Sequence, residues 1–380
     1  MNICHINPFF YPYQGGTENY LIDLSKRLAK NHDVFVVTSL LEGTERYEEY
    51  EGIKIYRLPA FVLKKLPSFL PPPFSMPIGF GYYFPKICRK EKPDIIHLHN
   101  RFSPQFDSVI FWKRALKVPL FLNLHNSRPI GINPQTDFFG GIYDDTLGRL
   151  IMKSCDRIIG NSKYTLDVTA PSGYPQEKRQ VIYNGVDTKI YKKRKTRIKD
   201  ELGCEHLILS VCRLLPQKGL DYLVQALPDI EADYHYLMLG EGPEQAHLQG
   251  LVKKLGLEKR VTIMGRVSEE RKMEIYSGAD IFVLPSLYEP FGIVLVEAMA
   301  MECAVVATKA GGIPEVVDDT GLLVEPRNPK QIAAAVQRLA SDSKLMEKFK
   351  RLGRRRTEEL FDWDIIAKQF ENSYKNYLEK

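Results

Sequence analysis

The chain is poor in the residues that cross-link a protein or build it around a metal. Its six cysteines are scattered along 380 residues without a Cys-x-x-Cys pair, and its eight histidines show no ligand-like spacing. The reading is of a protein without a disulfide framework or zinc site, suited to a reducing cytoplasm. Met1 runs directly into a strand pattern, so no signal peptide is expected. Long apolar runs are also missing. The one uncharged stretch, Leu66–Pro85, carries six prolines and cannot be a spanning helix. Nor is there a heavy excess of one charge: 53 Lys and Arg stand against 47 Asp and Glu, a net +6. That mild basicity favours small anionic ligands or an anionic membrane face over specific nucleic-acid binding. No internal repeat is visible, and no serine–histidine–acid order with a nucleophile elbow.

What is present is ordinary for a soluble globular protein, 44% apolar and 26% charged, with room for two or three cores. Short apolar runs alternate with helical patterns. Strands are expected at Ile3–Ile6, Val34–Thr38, Ile53–Arg57, Asp94–His99, Leu120–His125, Arg157–Asn161 and Val181–Asn184. A cationic stretch, Lys189 to Lys199, reads as an interdomain linker. Alternation then restarts with strands at Leu207–Cys212, Tyr234–Leu239, Val261–Met264, Ile281–Leu284, Ala304–Ala307 and Leu322–Val324. The fold class is α/β: two doubly wound parallel sheets, with a ligand cleft expected outside the strands' carboxyl ends. The basic helix Lys344–Leu360 reads as a solvated face. Phe361-Asp-Trp363 then interrupts before a last helix.

The most informative stretch is EPFGIVLVE, Glu289 to Glu297. It follows a buried-strand pattern and opens a helical one. Glu289 therefore falls on the strand-to-helix loop, and Glu297 about one turn into the helix. Gly292 lets the backbone approach a ligand, and the free N–H groups of Gly292, Ile293 and Val294 form an anion site at a helix N-terminus. One carboxylate for a polyol, amides for phosphate and a second carboxylate for a diol suit a sugar nucleotide. The bland alternative is a surface loop with a helix-dipole glutamate.

Other strand ends add to this. Gly15-Gly16 closes the loop after the first strand, where backbone amides can reach phosphate. Arg213 ends the first strand of the second half, and Lys218 follows in RLLPQKG. Together they can neutralise a diphosphate, or be merely surface cations. Gly240-Glu-Gly242 resembles the start of a dinucleotide fingerprint, but Gln245 stands at the third glycine position, which weakens a dehydrogenase reading. His125 ends the fifth strand and could bond a sugar hydroxyl or assist deprotonation of an acceptor. His97 and His99 share one face of the fourth strand. His97 reads as a structural polar cap, and His99 as either such a cap or a strand-end residue that meets a ligand. Asp144-Asp145 and Asp318-Asp319 read as solvated turns. The aromatic stretch Leu66–Pro85, bracketed by Lys64, Lys65, Lys86 and Arg89, reads as an interfacial surface or a packed proline-rich loop.

With PYQGGTENY, VIYNGVD, SVCRLLPQKGLDYL, LMLGEGPE, EPFGIVLVEAMA and AGGIPEVV in this order, the chain resembles a retaining glycosyltransferase of the GT-B fold, family 4. The resemblance implies a Rossmann-like acceptor-binding domain over 1–188, with helix 364–380 crossing back to it, and a nucleotide-sugar-binding domain over 189–363. It implies that Gly15, Gly16, Arg213 and Lys218 hold the diphosphate, that Glu297 binds the ribose, and that Glu289, Gly292, Ile293 and Val294 face the sugar. Arg266 and Val267 would lie against the base, and His125 beside the transferred sugar. Asn126 departs from the aspartate that many such enzymes carry there. The implied reaction moves a hexose from a UDP- or GDP-sugar to a hydroxyl acceptor, a saccharide or a lipid-linked one. Contact with the inner face of the membrane is an expectation from the stretch Leu66–Pro85 and its bracketing cations, not from the resemblance. No cofactor or obligatory metal is expected, because the cations and helix-end amides stabilise the leaving diphosphate. A sugar-nucleotide epimerase of the same fold and a non-catalytic nucleotide-sugar-binding protein are the alternatives.

Overall fold

A computed structural model describes residues 1–13, 15–63, 74–101, 103–129 and 134–379. The chain divides into two compact units, Met1–Asn184 with Trp363–Lys380, and Gly185–Asp362.

The first unit holds β1 (Asn2–Ile6), β2 (Asp33–Ser39), β3 (Tyr47–Tyr50), β4 (Ile53–Leu58), β5 (Ala60–Leu63), β6 (Phe74–Pro77), β7 (Ile95–His99), β8 (Leu120–Leu124), β9 (Arg157–Gly160) and β10 (Arg179–Val181). Eight of these form one sheet in the order β10-β9-β8-β7-β1-β2-β4-β3, parallel except at the β3 edge. Strands buried on both faces are near-continuous Ile, Val and Leu, as in β1, β2 and β7. One face packs under the helices Gly16–Leu28 and Trp363–Leu378, with Tyr20 and Trp363 ring centroids 5.0 Å apart. Phe80, Phe84, Phe106 and Met152 cover the other face.

The second unit holds β11 (His206–Val211), β12 (Tyr234–Leu239), β13 (Val261–Gly265), β14 (Ile281–Leu284), β15 (Ala304–Thr308) and β16 (Gly321–Val324), all parallel, in the order β13-β12-β11-β14-β15-β16. This is the 3-2-1-4-5-6 order of the doubly wound nucleotide fold, whose connections reverse direction between β11 and β14. The carboxyl ends of those two strands lead into the loops of Arg213–Lys218 and Glu289–Gly292.

Several sequence expectations need correction. The cationic stretch is no free linker. The Arg194 amide donates to Ser277 Oγ at 3.2 Å, and Ile198 is buried against Gly278. The basic helix, Ser343–Arg356, is solvated on one side only. On the other, Lys350 is buried beside Asp280 at 3.4 Å, and Arg354 donates to the carbonyls of Tyr191 (2.6 Å), Ala300 (2.7 Å) and Thr188 (3.0 Å). A guanidinium with five donors closes backbone acceptors that a turn, at Thr188 and Tyr191, and a helix end, at Ala300, leave open. Asp144 is not in a solvated turn either: it is buried in a forked pair with Arg101 at 2.6 and 2.8 Å.

Within Leu66–Pro85, residues 66–73, Phe69 among them, lie outside the described residues. Of the rest, Phe80 and Phe84 are core side chains stacked at 4.7 Å in the helix Phe80–Glu91, which accommodates Pro85. Among the described residues of the stretch the exposed large apolar side chains are Met76, Ile78 and Tyr82, and Phe61 and Leu63 of β5, just before it and paired with β6, are exposed as well. Among the described residues no helix is long and apolar enough to cross a membrane.

Candidate functional site

Each unit presents its polar strand ends separately. In the second, β11 ends in an exposed Arg213 and the chain turns through Pro216–Lys218. That turn is clamped by glycines on neighbouring loops. A Cβ at Gly240 would meet the Cys212 carbonyl oxygen at 1.9 Å, and one at Gly242 the Leu214 carbonyl oxygen at 2.1 Å. The GEG motif thus exists for backbone contact between loops: Leu214 N–H donates to the Glu241 carbonyl (2.9 Å), and Glu244 N–H to that of Leu214 (3.1 Å). The Leu287 amide donates to the Gln217 carbonyl at 2.8 Å, joining the β11 loop to the β14 loop.

Across that junction Lys218 Nζ donates to Glu289 Oε2 at 2.6 Å. Burial acts to lower the Lys218 pKa, but the Glu289 carboxylate outweighs it and holds the ammonium above its ordinary range. Gly292 caps the helix Ile293–Ala300 at φ +89°, a left-handed conformation that only glycine takes without strain. A Cβ there would also press on Leu295 at 2.9 Å. Ile293 and Val294, half-buried, stand in the first turn, where amides have no partner inside the helix.

Glu297, one turn further, is already held. Tyr191 donates to Oε1 at 2.9 Å, Tyr276 donates to Oε2 at 3.0 Å, and Lys272 Nζ lies 3.8 Å away. Burial and the Glu297 charge push the Tyr276 phenol well above its usual range, so it stays a donor. Sequence reasoning missed Tyr191, which lay in the supposed linker, and Tyr276. Arg266 and Val267 follow β13, beside Gly265, whose carbonyl accepts from the Gly240 amide at 2.8 Å.

In the first unit Gly15 caps the helix Gly16–Leu28. A Cβ on Gly15 would collide with Glu18 Oε2 at 2.2 Å, whereas Gly16 is open. The Glu18 carboxyl is buried, which raises its pKa. His125 follows β8, its carbonyl accepting from Asn161 Nδ2 at 2.9 Å. Behind it the fold assembles what the sequence leaves apart. His5 Nδ1 lies 2.9 Å from His99 Nε2, and His99 Nδ1 lies 3.2 Å from His125 Nε2, which is also 3.0 Å from Asn123 Nδ2. His97 Nδ1 meets the Tyr374 hydroxyl at 2.6 Å.

The expectation of no histidine cluster is therefore corrected: His5, His97 and His99 bring ring nitrogens within 4.8 Å of one another. His99 engages both its nitrogens with other imidazoles, so these rings form a hydrogen-bonded chain. Burial holds His5 and His125 down to about 3, and burial with neighbouring imidazoles holds His97 and His99 well below the usual range. All four are neutral near pH 7. The signal in the sequence was the pair His97-Leu-His99 and Asn123-Leu-His125, polar residues at period two on adjacent strands.

Two family descriptions divide the chain between them. "Glycosyltransferase Family 4" matches residues 14–190, and "Glycosyl transferases group 1" matches residues 192–356. The chain belongs to the family 4 glycosyltransferases. This glycosyltransferase is 29% identical to an uncharacterized glycosyltransferase of Methanocaldococcus jannaschii, over 96% of its own length and 95% of the relative's. It is 27% identical to the N-acetyl-alpha-D-glucosaminyl L-malate synthase of Bacillus anthracis, over 97% and 96%. Among solved structures, sucrose-phosphate synthase from Thermosynechococcus elongatus superposes with a TM-score of 0.81 at 25% identity, covering 100% of this chain and 99% of that one. The fold is GT-B.

Proposed function

We propose that this glycosyltransferase moves a hexose from a UDP- or GDP-linked donor to a hydroxyl of a saccharide or lipid-linked acceptor, with retention of configuration and without an obligatory metal. The observation that carries the reading is the part-buried Lys218–Glu289 pair at 2.6 Å. It sits where the winding of the second sheet reverses, beside the open helix end at Gly292. A departing diphosphate needs positive charge that is already in place. Arg213 brings an exposed guanidinium, the remaining Lys218 protons add donors, and the Ile293 and Val294 amides add the helix end. Glu289, steadied by Lys218, is the carboxylate for the sugar hydroxyls. Glu297 has lone pairs to spare for ribose hydroxyls, with Arg266 and Val267 toward the base. In the first unit, the Gly15-Gly16 turn is assigned to phosphate and His125 to the transferred sugar. No carboxylate is assigned as nucleophile, so the acceptor hydroxyl enters on the face the diphosphate leaves, giving its proton to the leaving phosphate. The Bacillus anthracis relative is named for an N-acetyl-alpha-D-glucosaminyl product, which supports a hexose-type donor. The exposed Phe61, Met76 and Tyr82 surface is the proposed contact with a lipid-linked acceptor at the inner face of the membrane, with the enzyme in the cytoplasm.

The test separates the two glutamates. Glu297→Gln is expected to weaken binding of the bare nucleoside diphosphate by about tenfold, the scale of one charge-assisted hydrogen bond. Glu289→Gln is expected to leave that affinity unchanged and to lower turnover with the intact donor. Calorimetry with UDP and GDP reads the first, and product formation the second. Identical behaviour of the two variants would overturn the division of roles.

A further inference from the structure

We propose that His5, His99 and Asn123 are positioning residues that lock His125 as its Nδ1–H tautomer, so that the ring offers a hydrogen-bond donor and not a general base. The proposal rests on the placement of His125 beside the transferred sugar, and it concerns which proton that ring carries.

The direction follows from donors and acceptors. An amide nitrogen only donates, and Asn123 Nδ2 lies 3.0 Å from His125 Nε2. Nε2 is therefore an acceptor, and the His125 proton is on Nδ1. His99 Nδ1, 3.2 Å from the same Nε2, must then carry its own proton. That leaves His99 Nε2 as an acceptor, and His5 Nδ1, 2.9 Å away, as its donor. The three rings share one tautomer and one direction.

The reverse set is conceivable, with the Asn123 amide rotated so that Oδ1 accepts from His125 Nε2–H. His99 Nε2–H would then donate to His5, and His5 Nε2–H would point into the core with nothing to receive it. The Asn123 NH2 group would likewise lose its imidazole acceptor. In the first arrangement the unpaired buried atoms are His5 Nε2 and Asn123 Oδ1, both lone pairs. Orphaned buried N–H groups are rarer than under-satisfied acceptors, and this selects the first set. Tyr20 holds the His125 ring from the side, edge-on at 4.6 Å between centroids, and the Asn161 amide holds its backbone carbonyl. Nδ1, which takes none of these contacts, carries the proton. A ring so held can donate to a sugar hydroxyl or a phosphate oxygen, but has no lone pair there to accept an acceptor's proton.

The experiment uses the full chain with 15N-labelled histidine. Two-bond 1H–15N correlation at pH 7 distinguishes a protonated from a lone-pair ring nitrogen, and loss of signals in His125→Gln assigns the ring. Protonated Nδ1 and bare Nε2 are expected in the parent. Protonated Nε2, or shifts averaged between the two forms, would overturn the lock whatever the activity. Asn123→Asp replaces the donor by an acceptor. It should move the His125 proton to Nε2 and lower turnover by about tenfold, the scale of one hydrogen bond turned from attractive to repulsive. Affinity for UDP or GDP should stay unchanged. A moved proton with unchanged turnover would retain the lock and reject the placement of His125 at the reacting sugar. Should Asn123→Asp fail to fold, the parent spectrum alone decides the tautomer.

Discussion

An imidazole can lie in a core at no electrostatic cost only while it stays neutral, and His5, His97 and His99 are completely buried. Their protonation is held far below that of a free ring, to about 3 for His5 by burial, and well below the ordinary range for His97 and His99 by burial and the neighbouring imidazoles. The unfolded chain, with ordinary histidines, thus binds protons that the folded chain refuses. Stability is full above pH 6.5 and is lost as the pH falls through the unfolded value. Each buried ring costs about 1.4 kcal/mol per unit of pH below about 6.5. Urea unfolding at pH 7 and pH 5 should differ by several kcal/mol, before most carboxylates begin to titrate. A first unit equally stable at both values would show that these rings are charged or solvated. The period-two pairs His97/His99 and Asn123/His125 were legible from residue spacing, but the place of His5 beside them was not, because His5 and His97 are joined by strand register across the sheet. Tyr276 was hidden from Glu297 because the two stand on separate helices that only the fold brings together. What was legible was the type of residue at each strand end: Arg213, Glu289 and His125 all follow apolar runs whose period is plain.

The loops that carry these residues are built by glycines, and the glycines differ in what they do. Gly240 lies at φ +133° with a carbonyl oxygen where a methyl would go. Gly250, in the middle of the helix Gln245–Lys254, has open space around it. Gly240→Ala should cost about 3 kcal/mol in backbone strain and displacement, a fall in Tm of about 6–12 °C for a unit of this size. Gly250→Ala should raise stability by about 0.5–1 kcal/mol, through a smaller loss of chain entropy. Calorimetry on the two variants checks both signs, and a neutral Gly240→Ala would mean the GEG turn does not clamp the Arg213 loop. Elements of strong period were readable from the sequence alone. The strand Tyr47–Tyr50 was not, because YEEY is polar at a sheet edge where neither face is fully buried. The Lys189–Lys199 stretch misled because the alkyl stems of long cations can cover an apolar surface while their charges mark them as solvated.

At the scale of the molecule, the proposed reaction places its cationic charge on the protein. Activity should therefore survive EDTA, staying within about twofold of the untreated enzyme. Complete loss restored by magnesium or manganese would reject the metal-free mechanism. Membrane contact is also a property of the whole surface. Each flanking cation contributes about 1 kcal/mol near an anionic leaflet, and buried apolar area about 25 cal/mol per Å². The parent should sediment with vesicles containing anionic lipid, and a Phe61/Met76/Tyr82→Ser variant should not. Binding unchanged in the variant would move the contact elsewhere. One further consequence lies in how the second unit begins and ends. Val186 bridges to Asp362, its amide donates to the Phe361 carbonyl at 2.9 Å, and the Thr188 hydroxyl donates to the Asp362 carboxylate. Its entry and exit are side by side, so it is topologically an insertion with both seams at one point. Two crossovers in the coding sequence, after Asn184 and before Trp363, would transplant it whole. A lineage of such enzymes could in that way acquire a new second unit by recombination while keeping the sheet, the histidine chain and the last helix it already had.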